Sequence, residues 1–151
     1  MDFNNKELIK LMWLPDVKEV LLFIKDETFV PGDAELYNQV STYLDIDQWK
    51  IRYSALYDKW LNDDDASVYD VDNEVNQTII NALIKVNSAL KDKLILYWFD
   101  VDRANNENYQ WKICPISKTR LIYLGDEYPK INSLVSNDFP LIFPSLTGTR
   151  L

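Results

Sequence analysis

The residues of this chain that are best suited to chemistry are carboxylates, and many of them lie between residues 63 and 74. This stretch can be aligned with the twelve-residue calcium loop of an EF-hand, in which oxygen ligands alternate along the loop and a glutamate comes last. The ligand positions would be filled by Asp63, Asp65, Ser67 and Glu74. The alignment fails twice, because the sharp turn needs glycine where Val68 stands and an apolar residue is expected at Asp70. We therefore expect weak binding of divalent cations at most, with Asp63, Asp65 and Glu74 as candidate ligands.

A second oxygen-rich group follows a predicted strand. It contains Asp100 and Asp102, with three further polar side chains close by in sequence: Asn105, Asn106 and Glu107. Carboxylates at the end of a strand could hold Mg²⁺ with a substrate phosphate, or act as an acid and a base if their pKa values diverge. Asp and Asn are also the residues that turns favour, and no glycine-rich phosphate loop accompanies them. A carboxylate-dependent metal-binding enzyme that uses Asp100 and Asp102 is therefore an alternative interpretation.

Composition excludes several common kinds of active site. The 151 residues include no histidine, so Ser-His and Cys-His nucleophilic pairs and imidazole-based zinc sites are ruled out. The single cysteine, Cys114, cannot form an internal disulfide, and we expect it to be an ordinary buried thiol. The three glycines are too far apart for a Walker loop or a dinucleotide-binding fingerprint. We therefore predict that the protein is not an enzyme and uses no cofactor.

Negative charge is concentrated in the first part of the chain. Residues 1–91 carry 9 basic and 17 acidic side chains and residues 92–151 carry 7 of each, so the net charge of −8 belongs to the first part. Residues 45–74 alone have a net charge of −6. Clustered charge of this kind can steer the approach of a basic partner, although a solvated loop that favours solubility is the alternative. The small basic group on the later strands does not suffice for direct nucleic-acid binding: Lys112, Lys118 and Arg120.

Aromatic residues accompany this acidic stretch at helical spacing. Trp49, Tyr53, Tyr57 and Trp60 fall on or near one face of a predicted helix. Tyr and Trp are typical anchors of protein interfaces, although a stripe of this kind can equally be packed core. We predict a partner-binding surface made of Asp47, Trp49, Tyr53, Tyr57, Trp60, Asp63, Asp64, Asp65, Tyr69, Asp70, Asp72 and Glu74.

The elements that must position these residues are predicted to be helices in the first part of the chain. Apolar residues recur at helical spacing in five segments: 5–14, 17–24, 36–44, 47–61 and 75–90. Asp16 and Asp47 have the form of N-caps for the second and fourth of these helices.

Later segments alternate in the manner of strands. These are residues 94–99, 109–114 and 119–124, and the proline-punctuated stretch 139–144 is predicted to be an edge strand or an extended segment. The sequence therefore predicts an α+β fold, in which an N-terminal half of about five helices packs on a C-terminal antiparallel sheet of three to four strands. A single domain over residues 1–151 is expected, with the helical half ending near residue 91.

The surface chemistry favours a binding protein. An acidic protein with Tyr and Trp anchors is suited to covering the positive cleft of an enzyme that grips phosphates. We therefore predict a bacterial-type immunity protein that neutralises a basic toxin such as a nuclease, and no membrane partner. A nucleic-acid mimic of the kind that phages use against host defences is an alternative. The acidic, amide-rich N-terminus lacks the features of a signal peptide, which predicts a cytoplasmic location.

Overall fold

A six-stranded mixed sheet is the central feature of the computed structural model, which describes residues 3, 5–15, 17–126 and 133–145. Its strands are β1 (Glu7–Leu11), β2 (Leu21–Phe23), β3 (Lys93–Trp98), β4 (Ile122–Tyr123), β5 (Ser133–Val135) and β6 (Leu141–Pro144). They are arranged in the order β2-β1-β3-β6-β5-β4. The three central strands β1, β3 and β6 run parallel, and the remaining neighbours pair antiparallel. The carboxyl ends of the central strands therefore lie at one edge of the sheet.

Three α-helices connect β2 to β3: α1 (Glu35–Ser41), α2 (Ile46–Asp63) and α3 (Glu74–Ala89). The N-cap of α2 is Asp45, whose carboxylate accepts a hydrogen bond from the backbone N–H of Gln48, so the prediction of Asp47 as the cap was wrong by two residues. Asp47 lies in the first turn instead, where a carboxylate still favours the positive end of the helix dipole. Helix α3 begins after Asn73, whose side chain accepts from the backbone N–H of Val75. Within the described residues, no helix is both long and apolar enough to cross a bilayer.

Apolar side chains are buried on both faces of the sheet. Ile9 and Ile95 belong to the core cluster that also contains Ile79 and Leu83 of α3. The residues that point to the other face form a second buried cluster: Phe3, Leu8, Ile24, Leu94, Leu96, Leu124, Val135 and Ile142. Because both faces are covered, β3 is apolar from Leu94 to Trp98, without the alternation of a half-exposed strand. Strand β1 is similar from Leu8 to Leu11 except at Lys10, whose ammonium group is paired with Glu27.

The predicted arrangement of five helices on an antiparallel sheet was wrong. The first two predicted helices are strands β1 and β2, and the sheet therefore contains strands from both halves of the chain. The apolar run at residues 8–13 arises from a strand buried on two faces, and in so short a segment this pattern cannot be told from a buried helix. The predicted cap Asp16 lies outside the described residues.

The C-terminal strands also differ from the prediction. Residues 109–114 form no strand and contribute only an isolated bridge between Ile113 and Arg120. The segment predicted as a strand at 119–124 is reduced to the two residues of β4. Strand β6 lies inside the sheet, between β3 and β5, and is not an edge strand. Its prolines are tolerated because Pro140 precedes the strand and Pro144 is its last residue, where few ladder hydrogen bonds are lost.

Candidate functional site

A cavity of about 270 Å³ opens where the parallel strands β1 and β3 end. Its walls come from the segments that follow these two strands, from α2, and from the 3₁₀ turn at Ala66–Tyr69. Six aromatic residues line it: Trp13, Tyr53, Tyr57, Tyr69, Trp98 and Phe99. The Trp98 ring packs on the opposite face of the sheet and Phe99 is buried in the core, so the first four supply the aromatic wall. The crevice beyond the carboxyl ends of parallel strands is the usual place for ligands in sheets of this kind, because the loops that leave neighbouring strands diverge there. We therefore treat this cavity as the candidate site.

Helix α2 places two tyrosines at the cavity. Tyr53 and Tyr57 are one turn apart, and the Trp13 ring lies against both, with centroid distances of 5.0 Å and 4.8 Å. Trp49, one turn earlier on the same helix, is only 2% exposed and donates its indole N–H to the carbonyl oxygen of Val75 at 3.1 Å. Of the aromatic residues that the sequence placed on one face of this helix, Trp49 therefore belongs to the core, whereas Tyr53 and Tyr57 form part of the cavity wall. Trp49 is not a contact for a partner.

The other end of the stripe reaches the acidic connection between α2 and α3. The Trp60 ring packs between Tyr57 and Tyr69, with centroid distances of 5.4 Å and 5.2 Å. All three side chains are half-buried, so part of each remains open to solvent. The predicted aromatic residues therefore join the cavity to the acidic stretch of the chain.

A buried asparagine on α3 holds the turn that carries Tyr69. The Asn76 side chain is fully buried, and its amide donates to the carbonyl oxygens of Val68 at 3.0 Å and Asp70 at 2.7 Å. Its carbonyl oxygen accepts a hydrogen bond of 2.7 Å from the Tyr97 hydroxyl on β3. One side chain thus fixes the position of the turn relative to both the helix and the sheet.

The hydroxyls of Tyr53 and Tyr69 stay protonated well into the alkaline range. Burial raises the pKa of Tyr53 to about 12, although a hydrogen bond with Tyr97 acts in the opposite direction. Burial also raises the pKa of Tyr69, and the nearby carboxylates of Asp102 and Asp100 add to this effect. At neutral pH these groups are neutral hydrogen-bond donors and not bases.

The carboxylates that follow β3 are held by the protein itself. Arg103 donates to both oxygens of Asp100, at 2.8 Å and 2.7 Å, and the indole N–H of Trp111 donates to the same carboxylate at 3.1 Å. Asp102 is buried and accepts from the backbone N–H of Ala104 and from the side-chain amide of Asn105. These hydrogen bonds stabilise a turn in the segment that follows β3.

The carboxylates of the α2–α3 connection serve local turns in several places. Asp65 accepts from the backbone N–H and the hydroxyl of Ser67, and Asp70 accepts from the backbone N–H of Asp72. Glu74 pairs with Arg52 at 3.2 Å. Within the parts of the chain that the structure describes, no group of three His, Cys, Asp or Glu side chains is arranged to hold a metal ion. The predicted ligands Asp63, Asp65 and Glu74 therefore do not come together as a calcium loop.

All seven predicted carboxylates of the partner-binding set are exposed to solvent. We call them the acidic surface: Asp47, Asp63, Asp64, Asp65, Asp70, Asp72 and Glu74. Near Asp47 the structure also contains a wider groove of about 890 Å³, which is lined by further acids that include Glu19, Asp33 and Asp45. The groove is also lined by Lys18. Acidic side chains are therefore exposed near the start of α2, at its end and at the start of α3, and the helix carries Lys50, Arg52 and Lys59 between its two acidic ends.

Three aromatic residues of the lining and one arginine were not among the predicted site residues: Trp13, Trp98, Phe99 and Arg103. Trp13 was placed at the end of a helix, so its position beyond a parallel strand could not be inferred. Trp98 was recognised as part of a strand, but its neighbour across the sheet was not known. A signal that could have found the pair is a tryptophan one residue before the end of each apolar run, in Trp13-Leu14-Pro15 and Trp98-Phe99-Asp100.

Comparisons of the chain with protein-family models, curated proteins and solved structures found no match.

Proposed function

We propose that this chain is an acidic protein-binding module for a basic protein partner, and that its specific form is an immunity-type inhibitor of a basic toxin such as a nuclease. The observation that carries the proposal is the acidic surface. Residues 45–74 have a net charge of −6, all seven of the predicted carboxylates are exposed, and the pairing of Glu74 with Arg52 is the only ion pair within this stretch.

Exposed and largely unpaired charge of one sign favours encounter with an oppositely charged partner. Such steering can raise association rates by roughly 10- to 1,000-fold over those of uncharged surfaces, and salt weakens it. A nuclease needs a positive cleft in order to hold phosphates, so a protein that presents carboxylates to that cleft competes with the substrate.

Half-buried aromatic side chains next to the acidic surface supply anchoring area. Trp60 is in ring contact with both Tyr57 and Tyr69, which restricts the orientation of the three side chains before any partner arrives. Preorganised Tyr and Trp side chains lose little conformational freedom on binding, and they are enriched among the residues that dominate interface energies. The proposed contact surface therefore combines the acidic surface with these three rings.

The test uses the protein encoded next to this chain's gene as the partner, with association measured by stopped flow at several salt concentrations. Asp63→Asn with Asp72→Asn removes two charges from the acidic surface. We expect at least tenfold slower association and a weaker salt dependence. The matched control removes two exposed charges elsewhere, Asp92→Asn with Glu107→Gln, and should leave the rate within about twofold.

Equal rates for the two double variants would contradict the proposal. Displacement of the chain by DNA from several unrelated nucleic-acid-binding proteins would replace an immunity function with that of a nucleic-acid mimic.

A further inference from the structure

We propose that the cavity at the carboxyl ends of β1 and β3 binds an alkylammonium cation, specifically a quaternary or methylated ammonium group. The cavity shares Tyr57 and Tyr69 with the proposed contact surface, but the inference rests on the cavity lining and does not depend on the proposed function. Its ligand is a small cationic head group, either of a free molecule or of a modified lysine side chain.

The lining is that of an aromatic cage. Four of the residues that line the cavity are aromatic and lie on the α2 side of the sheet: Trp13, Tyr53, Tyr57 and Tyr69. The face of an aromatic ring carries negative electrostatic potential, and several rings around one space attract a cation that lacks N–H donors. A methylated ammonium group is weakly hydrated in comparison with a primary ammonium group, so its transfer from water into such a cage costs less.

Fixed charges at the cavity also favour a cation. Arg103 lines the cavity, but its guanidinium group is already engaged. It donates to both carboxylate oxygens of Asp100, and its Nη1 donates to the carbonyl oxygen of Tyr109 at 2.6 Å. The Asp102 carboxylate is held by the neutral donors of Ala104 and Asn105, so its negative charge is not balanced. Residues 100, 102 and 103 therefore carry one net negative charge. Asp102 does not line the cavity itself, but its carboxylate is close enough to act on Tyr69 in the cavity wall.

The ring of Trp98 already takes part in a contact with a cation elsewhere. The ammonium group of Lys10 lies 4.6 Å from its centroid, and the charge of Lys10 is paired with Glu27 at 3.3 Å. Because that pair is neutral as a unit, it leaves the net negative charge at the cavity in place.

The size of the cavity limits the ligand to a head group. Its volume of about 270 Å³ lies just below the range of about 300–1,000 Å³ that is typical of small-molecule sites. A trimethylammonium group fits this space, whereas a nucleotide or a flavin does not. Anions are disfavoured by the net negative charge and by the engagement of Arg103 with Asp100.

The test compares two ligands of the same shape and different charge on the full chain. Choline chloride and its neutral isostere, in which a tert-butyl group replaces the trimethylammonium group, are titrated by calorimetry and by tryptophan fluorescence. Ionic strength is held constant with sodium chloride. We expect saturable binding of choline, and at least tenfold weaker binding of the isostere. Equal affinity for both ligands, or no saturation by choline, overturns the proposal.

A second arm distinguishes the source of the cation. Short peptides that carry either trimethyllysine or unmodified lysine are titrated in the same way. If the trimethyllysine peptide binds at least tenfold tighter than choline, the ligand is a side chain of a modified protein. If choline binds equally well or better, the ligand is a free small molecule. Both outcomes require that the unmodified peptide bind more weakly than the modified one, and tighter binding of the unmodified peptide contradicts the proposal.

Variants locate the binding in the cavity. Tyr69→Leu removes one ring of the lining and should weaken choline binding at least tenfold, whereas Tyr43→Leu removes a tyrosine that is 44% exposed and lies outside the cavity. Thermal melting of both variants verifies that they fold. Because the comparison of choline with its isostere uses the unaltered chain, the proposal can be overturned even if Tyr69→Leu does not fold. Equal loss of binding in both variants would place the choline site elsewhere and contradict the proposal.

Discussion

Asn76 connects three elements of the fold through one buried side chain. Its amide donates to two carbonyl oxygens of the acidic connection, and its oxygen accepts from Tyr97 of β3. A buried polar group of this kind stabilises the fold only when all its partners are present, because each partner left unpaired costs about 1–3 kcal/mol. The position of Tyr69 at the cavity depends on these contacts.

Replacement of Asn76 by alanine should therefore reduce the free energy of unfolding by about 2–4 kcal/mol, since it leaves buried donors and acceptors without partners. Urea denaturation followed by circular dichroism measures the change. Asn81→Ala is the matched control, because Asn81 lies on the same helix and is exposed. A similar loss in both variants would show that the effect is one of helix propensity and not of the buried contacts.

Alkaline pH should weaken the fold through Tyr53. In the folded protein its pKa is raised to about 12, whereas in an unfolded chain it is near 10, so the folded state retains the proton more tightly. The stability that this difference provides is complete below about pH 10 and is lost as the pH rises towards 12, at up to about 1.4 kcal/mol per pH unit.

Tyr53→Phe removes this titration and should make the fall in stability between about pH 10 and 12 less steep. Urea denaturation at a series of pH values measures it, with the exposed Tyr43→Phe as the control. If the free energy of unfolding of Tyr53→Phe falls with pH as steeply as that of the unaltered protein, the raised pKa of Tyr53 is contradicted.

Among the elements, the helices were easier to predict than the strands. Helices α2 and α3 were predicted to within about two residues, because each carries an apolar stripe of several turns. Strands β1 and β2 were predicted as helices, since they are short and their apolar residues face both sides of the sheet. Their sheet positions depend on partners from the distant segment β3, which local spacing does not reveal.

For the candidate site too, local spacing predicted residues on one helix but not residues brought together by the sheet. Tyr53, Tyr57 and Tyr69 were predicted as contacts for a partner from helical spacing and the acidic neighbourhood, which are local features, and the structure places all three at the cavity. Trp13 and Trp98 were missed, because the segments that carry them come to one cavity only when β1 and β3 pair in parallel register. Helical spacing also could not predict that the Trp49 side chain is buried, because its burial depends on contacts with α3 and Tyr97.

The corrected start of α2 can be tested with two neighbouring acids. Asp45→Ala removes the carboxylate that accepts from the backbone N–H of Gln48 and should cost about 1 kcal/mol of stability. Asp47→Ala changes an exposed first-turn residue and should cost no more than about 0.5 kcal/mol. Thermal or urea unfolding of the two variants makes the comparison, and a larger loss for Asp47→Ala would favour the cap predicted from the sequence.

For the whole molecule, the net charge of −8 lowers the stability of the fold, although it also attracts a basic partner. Like charges repel one another more strongly in the compact state than in the unfolded chain, and salt screens this repulsion. An increase in sodium chloride from about 0.01 M to 0.15 M should therefore raise the melting temperature by a few degrees. Asp63→Asn with Asp72→Asn should reduce this dependence on salt, as measured by differential scanning calorimetry. A melting temperature that falls on addition of salt would show that attractive ion pairs outweigh the repulsion.

The pairing of β1 with β3 has a consequence for synthesis of the chain. The two strands are neighbours in the sheet, but all three helices lie between them in sequence. During translation, the hairpin of β1 and β2 leaves the ribosome long before β3 is made, and the inner edge of β1 stays unpaired until then. An apolar strand with a free edge is a template for wrong pairing between chains. Misassembly of this protein should therefore begin at residues 7–11 of nascent chains, and a short delay in synthesis between α3 and β3 should increase it.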